Sequence, residues 1–198
     1  MEIDFYPDDN RFLHFEKYNL DYSIGSVHQL YNKSDGLYYS IDDNSKEFNR
    51  VLNVMFNGSI ENFVTRYYST LRNMIIQGGF DILGHIDLIK KFNSQFNYFT
   101  EKEDWYINQV EETLELLKCR SIIVEVNTGA ISRGVQNVPY PSQWILDRCY
   151  TMGIKICLNS DAHRVDTIDF YFKEALDMIR KAGYSYLTTP FEKVYIGD

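Results

Sequence analysis

The sequence is poor in cysteine, proline, tryptophan and positive charge. Its three cysteines, Cys119, Cys149 and Cys157, are odd in number and lack C-x-x-C spacing. That excludes a disulfide framework and a zinc knuckle, and leaves each to be read as a small buried hydrophobe. Lysine and arginine total 20 against 28 aspartates and glutamates, for a net charge of −8. Without a basic excess to neutralise phosphates, nucleic acid is excluded as the default partner. No apolar run approaches the roughly 20 residues of a membrane span. The opening Met-Glu-Ile-Asp-Phe is acidic where a secretory leader is basic, so the expectation is no signal peptide and a cytoplasmic protein. No internal repeat or low-complexity linker divides the 198 residues, which suit a single domain spanning 1–198.

What is present is a regular alternation. Short runs rich in Ile, Val and aromatics, bounded by Gly, Asn, Asp or Pro, predict strands at 2–6, 22–28, 80–84, 121–127, 155–159 and 184–187. Helical spacing of apolar residues predicts a helix over 60–77, through Phe63, Tyr67, Leu71, Met74 and Ile75. A second is predicted over 103–118, through Trp105, Val110, Leu114 and Leu117, and a third over 167–181, through Phe170, Ala175, Met178 and Ile179. A fourth is expected over 142–152, between Pro141 and Gly153. Strand–helix alternation predicts an α/β domain with parallel strands, whose chemistry gathers at the strands' C-terminal ends. Residues 31–59, rich in Asn, Asp and Gly, read as a poorly structured insertion: a lid, a substrate loop or a spacer. The 16 tyrosines and 13 phenylalanines carry no functional reading.

Three of the four histidines close a predicted strand or sit just beyond one. His28 ends Ile24-Gly-Ser-Val-His28, His85 follows Asp81-Ile-Leu-Gly84, and His163 belongs to Asn159-Ser-Asp-Ala-His163. His14 lies in a mixed-polarity helical segment and is read as a non-ligand. In the first strand Glu2 and Asp4 alternate with Ile3 and Phe5, so both carboxylates share a face. Imidazole and carboxylate are the ligands preferred by zinc, manganese and iron. Clustered metals supply what phosphate-ester hydrolysis needs: an activated water and neutralisation of developing charge. Taken singly the signals are weak. An isolated histidine is more often a packed or surface residue, and Asp-x-His or Gly-His-x-Asp recurs by chance. The equivalent placement of three His-bearing turns in one alternation is what singles them out.

At these residues the chain resembles the histidinol-phosphatases of the polymerase-and-histidinol-phosphatase (PHP) superfamily. The resemblance rests on Glu2-Ile-Asp-Phe, Ile24-Gly-Ser-Val-His28, Leu83-Gly-His-Ile-Asp-Leu-Ile-Lys-Lys-Phe92, Val124-Glu-Val-Asn-Thr-Gly129 and Asn159-Ser-Asp-Ala-His-Arg164, in that order. It implies a distorted (β/α)7 barrel with clustered divalent metals, Zn, Mn or Fe, and hydrolysis of L-histidinol phosphate to L-histidinol and phosphate. It implies metal ligands at Glu2, His28, His85, Asp161 and His163, with Asp161 and His163 also placing the attacking water. Arg133 and Arg164 are the candidates for holding the substrate phosphate, since a guanidinium fork suits phosphate oxygens. For Arg133 a solvated loop charge is an equal reading. Glu125 and Asn127 share a strand face, and one of them is expected to order the ligands or the neighbouring loop.

The chain departs from the family at its start. The family's opening His-x-His strand, an acidic ligand and a further histidine have no counterpart before Glu2. The expectation is an incomplete barrel missing its first strands, the C-terminal two-thirds of the family domain. Such an opening exposes sheet edges and apolar surface, which predicts a homo-oligomer covering the gap. Two other functions stand beside hydrolysis of histidinol phosphate: a non-catalytic remnant binding metal or a phosphate ligand, and a phosphoesterase for another small substrate.

Overall fold

The computed structural model describes residues 1–7 and 15–197; His14 lies outside them. Nine strands occur among the described residues: β1 Glu2–Asp4, β2 Ile24–Ser26, β3 Gln29–Asn32, β4 Leu37–Ser40, β5 Ile82–Leu83, β6 Ile123–Asn127, β7 Ile156–Asn159, β8 Tyr186–Thr188 and β9 Lys193–Tyr195. Five form one sheet in the order β1-β2-β5-β6-β7. Every neighbouring pair in it is parallel, with Glu2 opposite Ile24, Ile24 opposite Ile82, Ile82 opposite Ile123 and Val124 opposite Ile156. The sheet is open: among the described residues nothing pairs β1 with β7 to close a barrel. Two antiparallel hairpins, β3–β4 and β8–β9, stand apart from it.

The longer helices are α1 Ser45–Phe56, α2 Ile60–Gln77, α3 Asp104–Lys118, α4 Gln143–Thr151 and α5 Phe172–Ala182. The apolar stripe expected on α2 is buried in full, from Phe63 through Tyr67, Leu71 and Met74 to Ile75. It packs beside α3, where Val110, Leu114 and Leu117 are buried and Trp105 is partly so. Alternation along the strands sorts the two sheet faces. Ile3, Phe5, Val27, Leu83, Val124, Val126 and Ile156 join the main core with the helices. The other face carries a smaller apolar cluster of Ile82, Ile123 and Cys157, with Ile24 against it. That second face also carries Glu2 and Asp4 of β1 and Glu125 and Asn127 of β6, and His28 and His85 lie two residues beyond the ends of β2 and β5.

Residues 31–59 are not the loop that their composition predicts. They form most of the β3–β4 hairpin and all of α1. The Asn and Asp residues behind that expectation are local caps and turns. Asp35 accepts from Leu37 N and Tyr39 Oη inside the hairpin turn. Asn44 caps α1 by accepting from Lys46 N and Glu47 N, and Asn57 ends it in the left-handed region at φ 51°. Helix α5 begins at Phe172, later than expected, because Tyr171 sits at φ 65° and breaks the helical run before it. Phe170 accordingly lies outside the stripe and is exposed. Cys119, just past the end of α3, is exposed, whereas Cys149 and Cys157 are buried. Strand β9 gave no recognisable pattern beforehand; all three of its residues are exposed.

Candidate metal centre

Strand β1 presents Glu2 and Asp4 on the polar face, and the turns after β2 and β5 bring His28 and His85 against them. His28 Nε2 lies 3.1 Å from His85 Nε2, His85 Nε2 lies 3.2 Å from Glu2 Oε1, and His28 Nε2 lies 3.7 Å from the same oxygen. Three donor atoms therefore converge on one point. A tetrahedral ion with bonds of about 2.0–2.1 Å has ligand-to-ligand edges of about 3.3–3.4 Å. The three edges bracket that length, and two imidazoles with one carboxylate are a donor set that suits zinc. The residues present fit such an ion.

The surroundings hold the three donors in place. Asp4 pairs with His28 Nδ1 and so directs the other ring nitrogen into the cluster. Ser26 Oγ donates to Glu2 Oε1 at 2.5 Å. His85 is almost fully buried at φ 20°, and its backbone N–H donates to Glu125 Oε2 at 3.0 Å. Burial works against the charge of Glu2, but the hydrogen bond and charge of His85, with help from Ser26 and His28, outweigh it and hold the carboxyl at about 2. Burial likewise disfavours the His28 cation, yet Asp4, Asp42 and Glu2 together push its pKa up to about 9. The metal-free cluster is thus an ion-paired knot of carboxylate and imidazolium.

Glu125 and Asn127 both face this site and divide the expected ordering role between them. Glu125, 3% exposed, ties three elements together. Its Oε2 accepts from His85 N and Asn127 Nδ2, and its Oε1 accepts from Asn159 Nδ2 at 2.8 Å. Asn127 Oδ1 accepts from Gly129 N and shapes the loop after β6. Sequence reasoning missed Asp42, whose charge reaches His28 from a segment read as a loop. It also missed the partnership of Asp4 with His28; the signal available was that Asp4 shares the face of Glu2.

Asp161 and His163 stand in a second group. Asp161, at φ 46°, is gripped by Arg133, whose Nη2 donates to Oδ2 at 2.7 Å and whose Nη1 donates to the backbone oxygen at 2.9 Å. His163 Nε2 lies 3.4 Å from Asp161 Oδ1, on a side chain that is 72% exposed. Arg164 is exposed and forms a fork with Asp166, at 3.0 and 2.9 Å. A cavity of about 260 Å³ touches both groups, being lined by Glu2 and Asp161 together with Glu125, Asn127 and Asn159.

Comparison with known proteins bears on the family and the fold. The family model of the PHP domain matches residues 1–129. A Deinococcus radiodurans protein assigned as a histidinol-phosphatase is 26% identical over 196 residues, covering 98% of this chain and 68% of the relative. The structure of a Listeria monocytogenes protein assigned as a histidinol phosphatase superposes with a TM-score of 0.75 at 23% identity, over 88% of this chain and 66% of that one. That of the Lactococcus lactis histidinol phosphate phosphatase, solved with zinc, L-histidinol and phosphate, superposes with a TM-score of 0.66 at 16% identity, over 98% and 70%. The chain thus spans about two thirds of these relatives, and 54% and 58% of two further curated ones.

Proposed function

This chain belongs to the PHP domain family, and on that premise we propose that it is a metal-dependent phosphomonoester hydrolase acting on L-histidinol phosphate. The observation that carries the reading is the convergence of His28 Nε2 and His85 Nε2, from the turns after β2 and β5, with Glu2 Oε1 of β1 within 3.7 Å of one another. The substrate follows from the relatives: those named above are assigned to histidinol phosphate, and one of them holds histidinol, phosphate and zinc. Zinc is the first candidate on that ground, with manganese and iron as alternatives of similar ligand preference.

In this reading Glu2, His28 and His85 hold one ion, and Asp161 and His163 extend the ligand set across the cavity. Divalent ions there supply Lewis acidity and an activated water at neutral pH. Arg133 stands where a guanidinium can take the substrate phosphate while keeping Asp161 in place. Arg164, next to His163 in sequence, is the second candidate for the phosphate. A water oxygen attacks phosphorus, the ester P–O bond breaks, and the departing alkoxide takes a proton. His163 is solvent-facing and beside Asp161, which suits it to place that water and move that proton.

Purified protein assayed for phosphate release from histidinol phosphate, with added zinc or manganese, tests the reading. Activity that disappears in His163→Ala is the expected result; full activity in that variant would show the site to be misassigned. Among the described residues only the donors of Glu2, His28 and His85 converge, which favours a second reading, a protein that binds metal or a phosphate ligand without turnover. Metal binding without phosphate release would select it. Self-association belongs to the proposal as well, supported by the open edge of β1 and by the exposed rings of Phe191 and Tyr195. A strictly monomeric species in light scattering at micromolar concentration would overturn that part.

A further inference from the structure

The two histidines of the cluster are held differently. His28 hands its Nδ1 to Asp4. His85 is 4% exposed, and its Nδ1 has no hydrogen-bond partner among the described residues. Three more buried atoms share that condition nearby: Asp87 Oδ1, Tyr140 Oη and Thr128 Oγ1, on residues 0%, 1% and 0% exposed. They are linked by packing. The ring of Tyr140 meets that of His85 edge-on at 6.2 Å. Lys90 Nζ stands 5.6 Å from the centre of the same tyrosine ring and 2.6 Å from Asp87 Oδ2. Thr128 follows Asn127, whose backbone is bonded to that of Tyr140 in both directions.

For His85 Nε2 to offer its lone pair to the cluster, the ring must carry its proton on Nδ1. That N–H then lies in the interior and needs an acceptor. Asp87 is used on one side only. Its Oδ2 takes Lys90 and Ser142, while Oδ1 takes nothing. We propose that a buried water bridges His85 Nδ1–H to Asp87 Oδ1 and Tyr140 Oη, which makes Asp87, anchored by Lys90, the positioning residue for His85. A buried water makes two to four hydrogen bonds, and the three unpartnered atoms on His85, Asp87 and Tyr140 would supply them. Asp87 thereby does for His85 through a water what Asp4 does for His28 directly. A ligating histidine whose second nitrogen is so held keeps its ring orientation and tautomer, and loss of such a partner costs roughly 10–100-fold in metal affinity.

The inference rests on the metal site proposed above, and its test separates the two. In full-length protein labelled with 15N-histidine and loaded with zinc, the His85 ring is expected to carry a proton on Nδ1 that exchanges slowly and shows a cross-peak to water. A His85 ring protonated on Nε2 would overturn the proposal, as would an Nδ1 proton with no water cross-peak. Zinc affinity, read by chelator competition, is expected to fall roughly 10–100-fold in Asp87→Asn and several-fold in Tyr140→Phe. If both variants melt lower but keep zinc affinity within about twofold, their role is structural and the positioning claim fails. Because Asp87→Asn strands the Lys90 ammonium and can fail to fold, Tyr140→Phe and the spectrum of the unsubstituted protein decide in that case. If the unsubstituted protein binds no zinc, the metal site itself is wrong and the inference falls with it.

Discussion

Arg133 holds Asp161 at two points, its side-chain carboxylate at 2.7 Å and its backbone oxygen at 2.9 Å. The grip keeps an aspartate at φ 46°, a conformation that non-glycine residues seldom adopt. Room for it comes from Gly129, where a Cβ would lie 2.7 Å from Asp161 Oδ2 and 2.9 Å from Arg133 Nη2. Arginine, aspartate and glycine thus form one unit, whose aspartate lines the cavity.

Gly129→Ala is expected to break that unit while leaving both charged groups in the chain. The bidentate contact is charge-assisted, a class worth about 1.5–3 kcal/mol, so phosphatase kcat/KM falls roughly 10–100-fold. Arg133→Lys keeps the charge but loses the fork and falls less. Steady-state kinetics on histidinol phosphate measure both. Equal rates in both variants and the parent would show the grip to be catalytically idle.

Metal affinity is expected to rise with pH across the neutral range. In the metal-free protein His28 is pushed up to about 9, so at pH 7 a proton occupies the site that a metal needs. Below about 9, each bound ion displaces that proton, and affinity climbs up to roughly tenfold per pH unit before levelling off. The sign is opposite for the stability of the metal-free fold. A raised histidine stabilises fully below its unfolded value near 6.5, and that contribution is lost as pH rises through about 9. Calorimetry at pH 7 in buffers of different ionisation enthalpy should count about one proton released per metal. No release at pH 7 would place His28 in its neutral form and remove this expectation.

The sequence made parts of this arrangement readable for definite reasons. The stripe from Phe63 to Ile75 shows because a helix facing a sheet must repeat its apolar positions. His28 and His85 show because each follows a short apolar run in an α/β alternation. The hairpin and helix between residues 29 and 56 do not show, because Asp35, Asn44 and Asn57 serve as turn and cap residues, and such residues look the same in a loop. The grip of Arg133 on Asp161 spans 28 residues and depends on a left-handed aspartate that no periodicity announces. The orphaned atoms of Asp87 and Tyr140 are invisible for the same reason. They arise from tertiary packing, whereas their local sequence reads as ordinary strand-end and turn.

Glu125 offers a test of rigidity behind the cluster. Its carboxylate accepts from three different groups and is 3% exposed. Glu125→Gln keeps the shape but turns one acceptor into an NH2, which then faces donors. The expected cost is about 1–3 kcal/mol of stability, the penalty for a buried group left unpaired. Zinc affinity should drop with it, because His85 loses the anchor on its backbone N–H. Chemical denaturation measures the first and chelator competition the second. A variant as stable as the parent would show that the amide finds partners these contacts do not predict.

Stripping the metal should lower the melting temperature, and Glu2→Gln should abolish that response. An ion that binds only the folded chain stabilises it by about 2.7 kcal/mol at a hundredfold excess over its Kd. For a domain of this size each kcal/mol shifts Tm by roughly 2–4 °C, so saturating zinc should raise Tm by roughly 5–11 °C. Glu2 is the one carboxylate in the convergent triad. Without it two imidazoles remain, and both the zinc-induced rise and the fall on adding chelator should shrink to within a degree or two, by roughly the same scaling. Differential scanning fluorimetry with zinc, and then with EDTA, reads both arms. A Glu2→Gln protein that still gains the full shift would move the metal away from the His28–His85 pair and towards the Asp161–His163 side of the cavity.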